Sequence, residues 1–136
     1  MKHSAQTMIA FYQSLGKLFY AVAASDKSVN KKEITLLNEI VKDQWLDIED
    51  SEDQFKSDAA YQIEIVFDWL YNNEADSETC YSKFEEFALH HPSLFSKNIK
   101  ALILKTATKI AAVFAGVNKS ELIILAQLEL FLKRKL

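Results

Sequence analysis

The sequence contains only two glycines, one proline and one cysteine among its 136 residues. Turn-rich β-domains need many more glycines and prolines, so the composition favours a helical chain. Cys80 has no second cysteine to pair with, which excludes an intramolecular disulfide and zinc sites built on paired cysteines. No stretch reaches the ~18 uninterrupted apolar residues of a membrane span, and the apolar run near the N-terminus is a poor signal core. We therefore expect a cytoplasmic protein without a transmembrane segment.

The charge of the chain gives no electrostatic footprint for nucleic acid. Sixteen basic and 19 acidic residues give a formal net charge of -3 at pH 7, with a pI near 5.6. Residues 133–135 are basic, and we expect them to form a solvated face at a helix end rather than a contact with anionic lipid. The length and the apolar content of 49% predict one globular domain over residues 1–136.

Apolar spacing and capping residues predict six helices. The expected segments are about Ser4 to Ser25, Lys31 to Trp45, a third helix capped by Ser57 or Asp58, a fourth capped by Ser77 and ended by Pro92, a fifth opened by Ser96 and ended at Gly116, and a sixth from Asn118 to Lys133. The acidic run at 47–53 is predicted to be a loop.

Apolar residues also predict which helices lie in the core. The first helix shows one buried stripe, formed by Ile9, Tyr12, Leu15, Phe19, Val22 and Ala23. The last helix is apolar on all sides from Leu122 to Leu125, which places it either at the centre of the core or at an interface. The spacing of the aromatic residues Trp45, Tyr61, Phe67 and Trp69 is typical of core positions.

An internal repeat is the most informative feature of the sequence. Residues 29–33 read Val-Asn-Lys-Lys-Glu and residues 117–121 read Val-Asn-Lys-Ser-Glu, and the apolar flanks also correspond. The repeat units cover about 9–45 and 97–133, with two helices between them. We therefore predict an all-α fold, a compact bundle of about six helices with two pseudo-symmetric helix-turn-helix halves.

Each repeat places a glutamate on its apolar stripe. On a helical wheel Glu33 falls between Leu37 and Ile40, and Glu121 has the equivalent position in the second copy. A carboxylate on a buried stripe must be hydrogen-bonded, paired or bound to a cation. One interpretation is a capping box, in which the carboxylate accepts from the backbone N–H of the asparagine three residues earlier.

The other interpretation is a metal site. Asp26 and Glu33, with Glu121 across the bundle, would hold a divalent cation such as calcium or magnesium through oxygen ligands. An EF-hand is excluded, because a loop that begins at Asp26 has Lys31 where that motif requires glycine.

The sequence resembles a known family in this region. Gly16-Lys-Leu-Phe-Tyr-Ala-Val-Ala-Ala-Ser-Asp26, followed by Val29 and Glu33, resembles the leading half of a TerB-like domain of tellurite-resistance proteins. The resemblance covers most of the chain when the second repeat is included. It implies an all-helical fold with two pseudo-symmetric halves, an acidic surface site proposed to bind metal, and a role in stress-response or tellurite-resistance assemblies rather than catalysis.

The sequence also departs from that family in its turns. Lys27 replaces the glycine of the first Asp-Gly turn, and Phe114-Ala115 stands where the second is expected. Of the acidic residues that the family carries, Asp26, Glu33 and Glu121 remain.

No arrangement of residues in the sequence is typical of an enzyme. A glycine-rich phosphate loop, a nucleophile elbow and a Glu-x-x-His pair are all missing, and the adjacent His90 and His91 project ~100° apart on a helix. We predict a non-catalytic module without a cofactor of its own that binds a protein partner and a divalent cation. The alternative is a purely structural or dimerising protein in which Glu33 and Glu121 only cap helices.

Overall fold

The computed structural model describes residues 4–25, 30–45, 55–115 and 119–136. Over these residues the chain forms α1 (Ala5–Ala23), α2 (Lys31–Trp45), α3 (Phe55–Asn72), α4 (Ser77–His90), α5 (Lys97–Ala115) and α6 (Lys119–Arg134), with a short 3-10 helix, Pro92–Leu94, before α5. The described residues contain no strand, so the predicted all-α class is confirmed. Among these residues, none of the helices has both the length and the apolar character that crossing a membrane requires.

Serine side chains cap the first turns of α1 and α5, of which the Ser96 start was predicted. The backbone N–H of Thr7 donates to Oγ of Ser4 over 3.0 Å and begins α1. Ser96 begins α5 in the same way, since its Oγ accepts from the N–H of Ile99 over 3.2 Å. These hydroxyls satisfy N–H groups that have no partner within the first turn. The predicted Gly116 cap, Asn118 and the acidic run at 47–53 lie outside the described residues.

Two predicted helix starts are wrong. Helix α3 begins at Phe55 and not at a cap formed by Ser57 or Asp58. Helix α4 is capped by Asp76, whose Oδ2 accepts from the N–H of Thr79 over 2.9 Å. Ser77 serves a different purpose, because its hydroxyl donates to the carbonyl oxygen of Ala21 over 2.9 Å and so ties α4 to the last turn of α1.

Helix α1 lies at the centre of the bundle. It packs along α3 and α4 and also contacts α5 and α6. Its buried residues are Phe11, Tyr12, Ser14, Leu15, Gly16, Leu18, Phe19, Tyr20, Ala21, Val22 and Ala23. The single stripe predicted for this helix is therefore too narrow. The only charged side chain in α1 is that of Lys17, which explains how the helix can be surrounded at little cost of desolvation.

Helix α6, in contrast, lies at the edge. Ile124 is buried, but Leu122 is 52% exposed and Ile123 is 58% exposed. The central position that the sequence offered for this helix is wrong, because α1 occupies the centre of the bundle. The other predicted alternative, an interface on the outer side of α6, stays a prediction.

The repeat in the sequence is not matched by equal packing of its two copies. Helix α5 packs along α6, whereas α1 packs mainly along α3 and α4. The two copies do contact each other, since α5 packs against both α1 and α2. The predicted pseudo-symmetry of the two halves is thus not seen among the described residues.

Gly16 allows α1 and α3 to approach closely. A Cβ atom added at Gly16 would lie 3.0 Å from both Cβ and Cγ1 of Val66, and 3.4 Å from the carbonyl oxygen of Ile63. The two distances of 3.0 Å are shorter than normal van der Waals contacts, so a side chain at position 16 requires Val66 to shift by a few tenths of an ångström. The glycine is needed for space and not for an unusual backbone conformation.

We expect Gly16→Ala to destabilise the protein by about 1 kcal/mol, because the free energy lost by overpacking exceeds the free energy gained from the higher helix propensity of alanine. In the Gly16→Ala/Val66→Ala double variant the contact with Cγ1 of Val66 is removed, whereas the contact with its Cβ remains. Urea denaturation should therefore show that the double variant is less destabilised than the sum of the two single variants. Simple additivity would contradict the close contact.

Trp45 anchors α2 to α5 and to the central helix. Its side chain is fully buried, and its indole N–H donates to Oγ1 of Thr106 over 3.1 Å. The Thr106 hydroxyl in turn donates to the carbonyl oxygen of Leu102 over 2.8 Å. The ring of Phe19 lies 6.1 Å from the Trp45 ring, centroid to centroid. Both buried polar groups thus have partners, as a stable core requires.

We expect Thr106→Val to lower the free energy of unfolding by about 1–3 kcal/mol, because the side chain keeps its shape while the buried indole N–H loses its acceptor. Thr108→Val is the matched control. Thr108 is exposed, and its hydroxyl donates to the carbonyl oxygen of Leu104 in its own helix. Chemical denaturation should show a small effect for the control, and equal effects of the two variants would contradict the role of Thr106.

Candidate functional site

Glu33 forms a capping box at the start of α2. Its Oε1 accepts from the backbone N–H of Asn30 over 2.9 Å, and its own N–H donates to Oδ1 of Asn30 over 2.9 Å. The side chain is half-buried, while Leu37 and Ile40 one and two turns further along are buried. The predicted position of Glu33 on the apolar stripe and its predicted capping bond are both confirmed.

The predicted metal ligands are not seen together. Asp26 lies outside the described residues, and Glu121 belongs to α6 although its side chain lies outside the described part of the structure. Among the side chains that are described, no group of three or more His, Cys, Asp or Glu could hold a metal ion. For Glu33 the geometry therefore supports the capping interpretation, and the cation site stays a prediction.

We expect Glu33→Ala to destabilise the protein by about 1 kcal/mol in a buffer containing EDTA, because the capping bond needs no cation. Glu39→Ala, an exposed position within the same helix, is the control. Thermal denaturation measures both. If millimolar calcium or magnesium raises the wild-type melting temperature but not that of Glu33→Ala, the carboxylate binds a cation as well.

An acidic rim follows α3, where the chain turns into α4. Glu74, Asp76 and Glu78 border an open depression together with Tyr20 and Ser77. Asp76 is occupied as the cap of α4, and its Oδ2 also accepts from the Thr79 hydroxyl over 3.0 Å. Glu74 has a φ of 48°, which is the left-handed conformation of the tight turn that it occupies. The cap thus gives a structural reason for Asp76, whereas the left-handed backbone at Glu74 would suit glycine or asparagine better.

Cys80 and Tyr81 are buried at the start of α4, and their chemistry is suppressed there. Burial raises the pKa of the Cys80 thiol, an effect that Lys17 opposes only in part. Burial and the neighbouring Glu85 carboxylate raise the pKa of the Tyr81 hydroxyl. A raised pKa makes a thiol a poorer nucleophile, and the buried Cys80 side chain is part of the core.

The two histidines complete the end of α4. Nδ1 of His90 donates to the carbonyl oxygen of Glu86 over 2.8 Å, and Nδ1 of His91 donates to that of Phe87 over 3.2 Å. The His91 ring stacks on Phe87 with 4.3 Å between the centroids. Both rings therefore bind carbonyl groups of the last turn, as expected for histidines at a helix C-terminus.

One exposed side of α3 is apolar. Tyr61 is 60% exposed, Ile65 is 43% exposed and Trp69 is 61% exposed. Residues at i, i+4 and i+8 follow one another along a helix, so the three side chains form a row about 12 Å long. We name this row the α3 face. It lies on the side of the helix opposite to the buried Ile63 and Phe67.

A second apolar row lies on α6. Leu122, Ala126 and Leu130 have the same i, i+4, i+8 spacing, and all three are exposed. Ile123 lies beside this row and is also exposed. We name these four residues the α6 face. Both faces are unusual, because single exposed apolar residues are common on protein surfaces whereas contiguous rows are typical of interaction sites.

The α3 face was missed in the sequence. Trp45 and Phe67 are fully buried as predicted, but the prediction that Tyr61 and Trp69 belong to the core is wrong. A helical wheel contains the signal that separates them. Tyr61 and Trp69 lie on the side opposite to Ile63 and Phe67, and one helix cannot bury both sides at the edge of a bundle.

No family model, curated protein or solved structure matches this chain. The resemblance to TerB-like domains therefore stays a prediction that depends on the short motif from Gly16 to Glu33.

Proposed function

We propose that this chain is a non-catalytic protein-interaction module whose binding surface is the α3 face. The proposal depends on one observation, the row of half-exposed large apolar side chains at positions 61, 65 and 69. Aromatic residues are the strongest anchors at protein interfaces, because they bury a large area with few rotatable bonds. Trp69, at the end of the row, is the residue on which we expect most of the binding energy to depend.

The chemistry of the described residues supports a role without catalysis. Cys80, the only thiol in the chain, is buried, and the rings of His90 and His91 are bound to carbonyl groups of their own helix. The Glu33 carboxylate accepts a capping bond. None of these groups faces another in the geometry of a nucleophile and its base.

Cation binding and a role in tellurite resistance or stress response are a separate part of the proposal. They depend on the resemblance of the first repeat to TerB-like domains, and Asp26 is the ligand on which a cation site would depend most. The alternative, a structural or self-associating helical protein, is favoured by the capping bond of Glu33 and by the presence of a second apolar face.

A photo-crosslinking amino acid at position 65 tests the α3 face in the native cells. We expect one discrete adduct, because the residue lies at the centre of the surface, and the centre of an interface is the part that a partner buries most completely. The adduct should disappear when Trp69→Lys is introduced into the same chain. Mass spectrometry identifies what is bound, whether it is another protein or a second copy.

The control places the same crosslinker at position 89. Leu89 lies on α4 and is 53% exposed, but it is not part of either apolar row. Adducts of equal yield from positions 65 and 89, or the absence of an adduct from position 65, would show that the α3 face is not a binding surface.

A further inference from the structure

The α3 face and the α6 face match each other, and we propose that the α3 face of one copy of this chain binds the α6 face of another. This inference rests on the proposed function, because it names the partner of the same surface. It predicts a head-to-tail contact between two different surfaces, so that each copy offers one surface of each kind.

The two faces have the same length, and each has its smallest side chain at the middle of the row. Each contains three residues at i, i+4 and i+8, over about 12 Å of helix. The α3 face has large rings at its two ends, Tyr61 and Trp69, whereas the α6 face has the small Ala126 at its middle. Ile65 at the centre of one row can therefore lie over Ala126 in the other, with the rings beside Leu122 and Leu130.

The charges beside the two faces are complementary. From residue 61 to residue 72, α3 carries Glu64 and Asp68 and no basic residue, and the exposed Glu74 follows its end. Helix α6 ends in exposed basic residues at 133–135, of which Lys133 forms an ion pair with Glu129 of the same helix over 3.1 Å, so the charge offered to a partner comes mainly from Arg134 and Lys135. When the two helices run parallel, this basic end lies next to Asp68 and Glu74. Opposite charges at the edge of an interface steer association and fix its orientation.

Charge also argues against a symmetric contact of two α3 faces. A two-fold axis through Ile65 would bring Glu64 and Asp68 of one copy close to the same residues of the other. Like charges at such distances are repulsive. A symmetric contact of two α6 faces would leave the α3 face uncovered, whereas the head-to-tail contact covers both.

The size of the faces predicts a weak contact. Each row exposes about 300 Å² of apolar surface, so the two rows together bury about 600 Å², which is below the about 1,200 Å² of stable specific complexes. We expect a dissociation constant on the order of 10–100 µM. Because a head-to-tail contact does not close at two copies, the mean mass should rise with concentration beyond twice 15.6 kDa.

Sedimentation of the purified wild-type chain over a wide range of concentration is the first test. We expect a mean mass that increases with concentration and decreases when salt is added. Trp69→Lys and Leu130→Lys should each remain monomeric, since every contact needs one intact face of each kind. Leu89→Lys is the matched control, because it places the same charge at an exposed leucine outside both faces.

Mixing the two variants is the decisive test. The Trp69→Lys chain keeps an intact α6 face and the Leu130→Lys chain keeps an intact α3 face, so an equimolar mixture should form a heterodimer of one copy of each. Both substitutions introduce lysine, so the mixture gains no new ion pair. Only a head-to-tail contact predicts that two monomeric variants associate with each other and stop at two copies.

Other results would overturn the inference in ways that can be told apart. If only Trp69→Lys is monomeric, two α3 faces bind each other, and if only Leu130→Lys is monomeric, two α6 faces do. A wild-type chain that stays monomeric at all concentrations excludes self-association. In that case an adduct with a different protein from position 65 would still support the interaction module, whereas no adduct at all would end both proposals. Circular dichroism and melting temperatures confirm that the exposed substitutions leave the fold intact.

Discussion

Burial of α1 on nearly all sides is the constraint on which the rest of the structure depends. A helix at the centre of a bundle must carry almost no charge, and it needs neighbours that turn their own apolar stripes toward it. Helices α3, α4, α5 and α6 all contribute to this cover. Gly16 sets how closely α3 approaches, because Val66 occupies the space where a side chain at position 16 would lie. The outer sides of α3 and α6 are what this arrangement leaves exposed.

Two hydrogen bonds from side chains join helices of the bundle and give polar groups in or near the core their partners. The carbonyl oxygen of Ala21 near the end of α1 accepts from the Ser77 hydroxyl, so the first turn of α4 completes the last turn of α1. At the other side of the core, the Trp45 indole N–H is paired with Thr106. Each bond joins two helices that are distant in sequence. Leaving a buried polar group unpaired costs more free energy than a hydrogen bond contributes. These bonds therefore favour the packing arrangement in which they form over alternatives.

Local signals in the sequence predicted the helices well, and long-range packing explains what they could not predict. The bounds of α2 and the Asn30–Glu33 capping box follow from residues within one turn, so the sequence alone contains them. The central position of α1 does not, because it depends on which helix the others surround. The apolar run at 122–125 predicted an α6 that lies either at the centre of the core or at an interface, and only the near absence of charge in α1 identifies α1 as the central helix. Asp76 and Ser77 are both good capping residues, and the contact of the Ser77 hydroxyl with the carbonyl oxygen of Ala21, a partner distant in sequence, is what local signals could not predict.

The candidate site illustrates the same distinction in chemical terms. A glutamate on an apolar stripe suggested a ligand, but a carboxylate that accepts from a backbone N–H of its own turn already has a reason to be there. The large exposed side chains of the α3 face have no such local reason, because their rings neither cap a helix nor contribute to the core. Burying a row of exposed tyrosine, isoleucine and tryptophan side chains releases free energy, because apolar surface is removed from water. Only contact with another surface can bury them. The outer sides of α3 and α6 are therefore where we expect a binding surface.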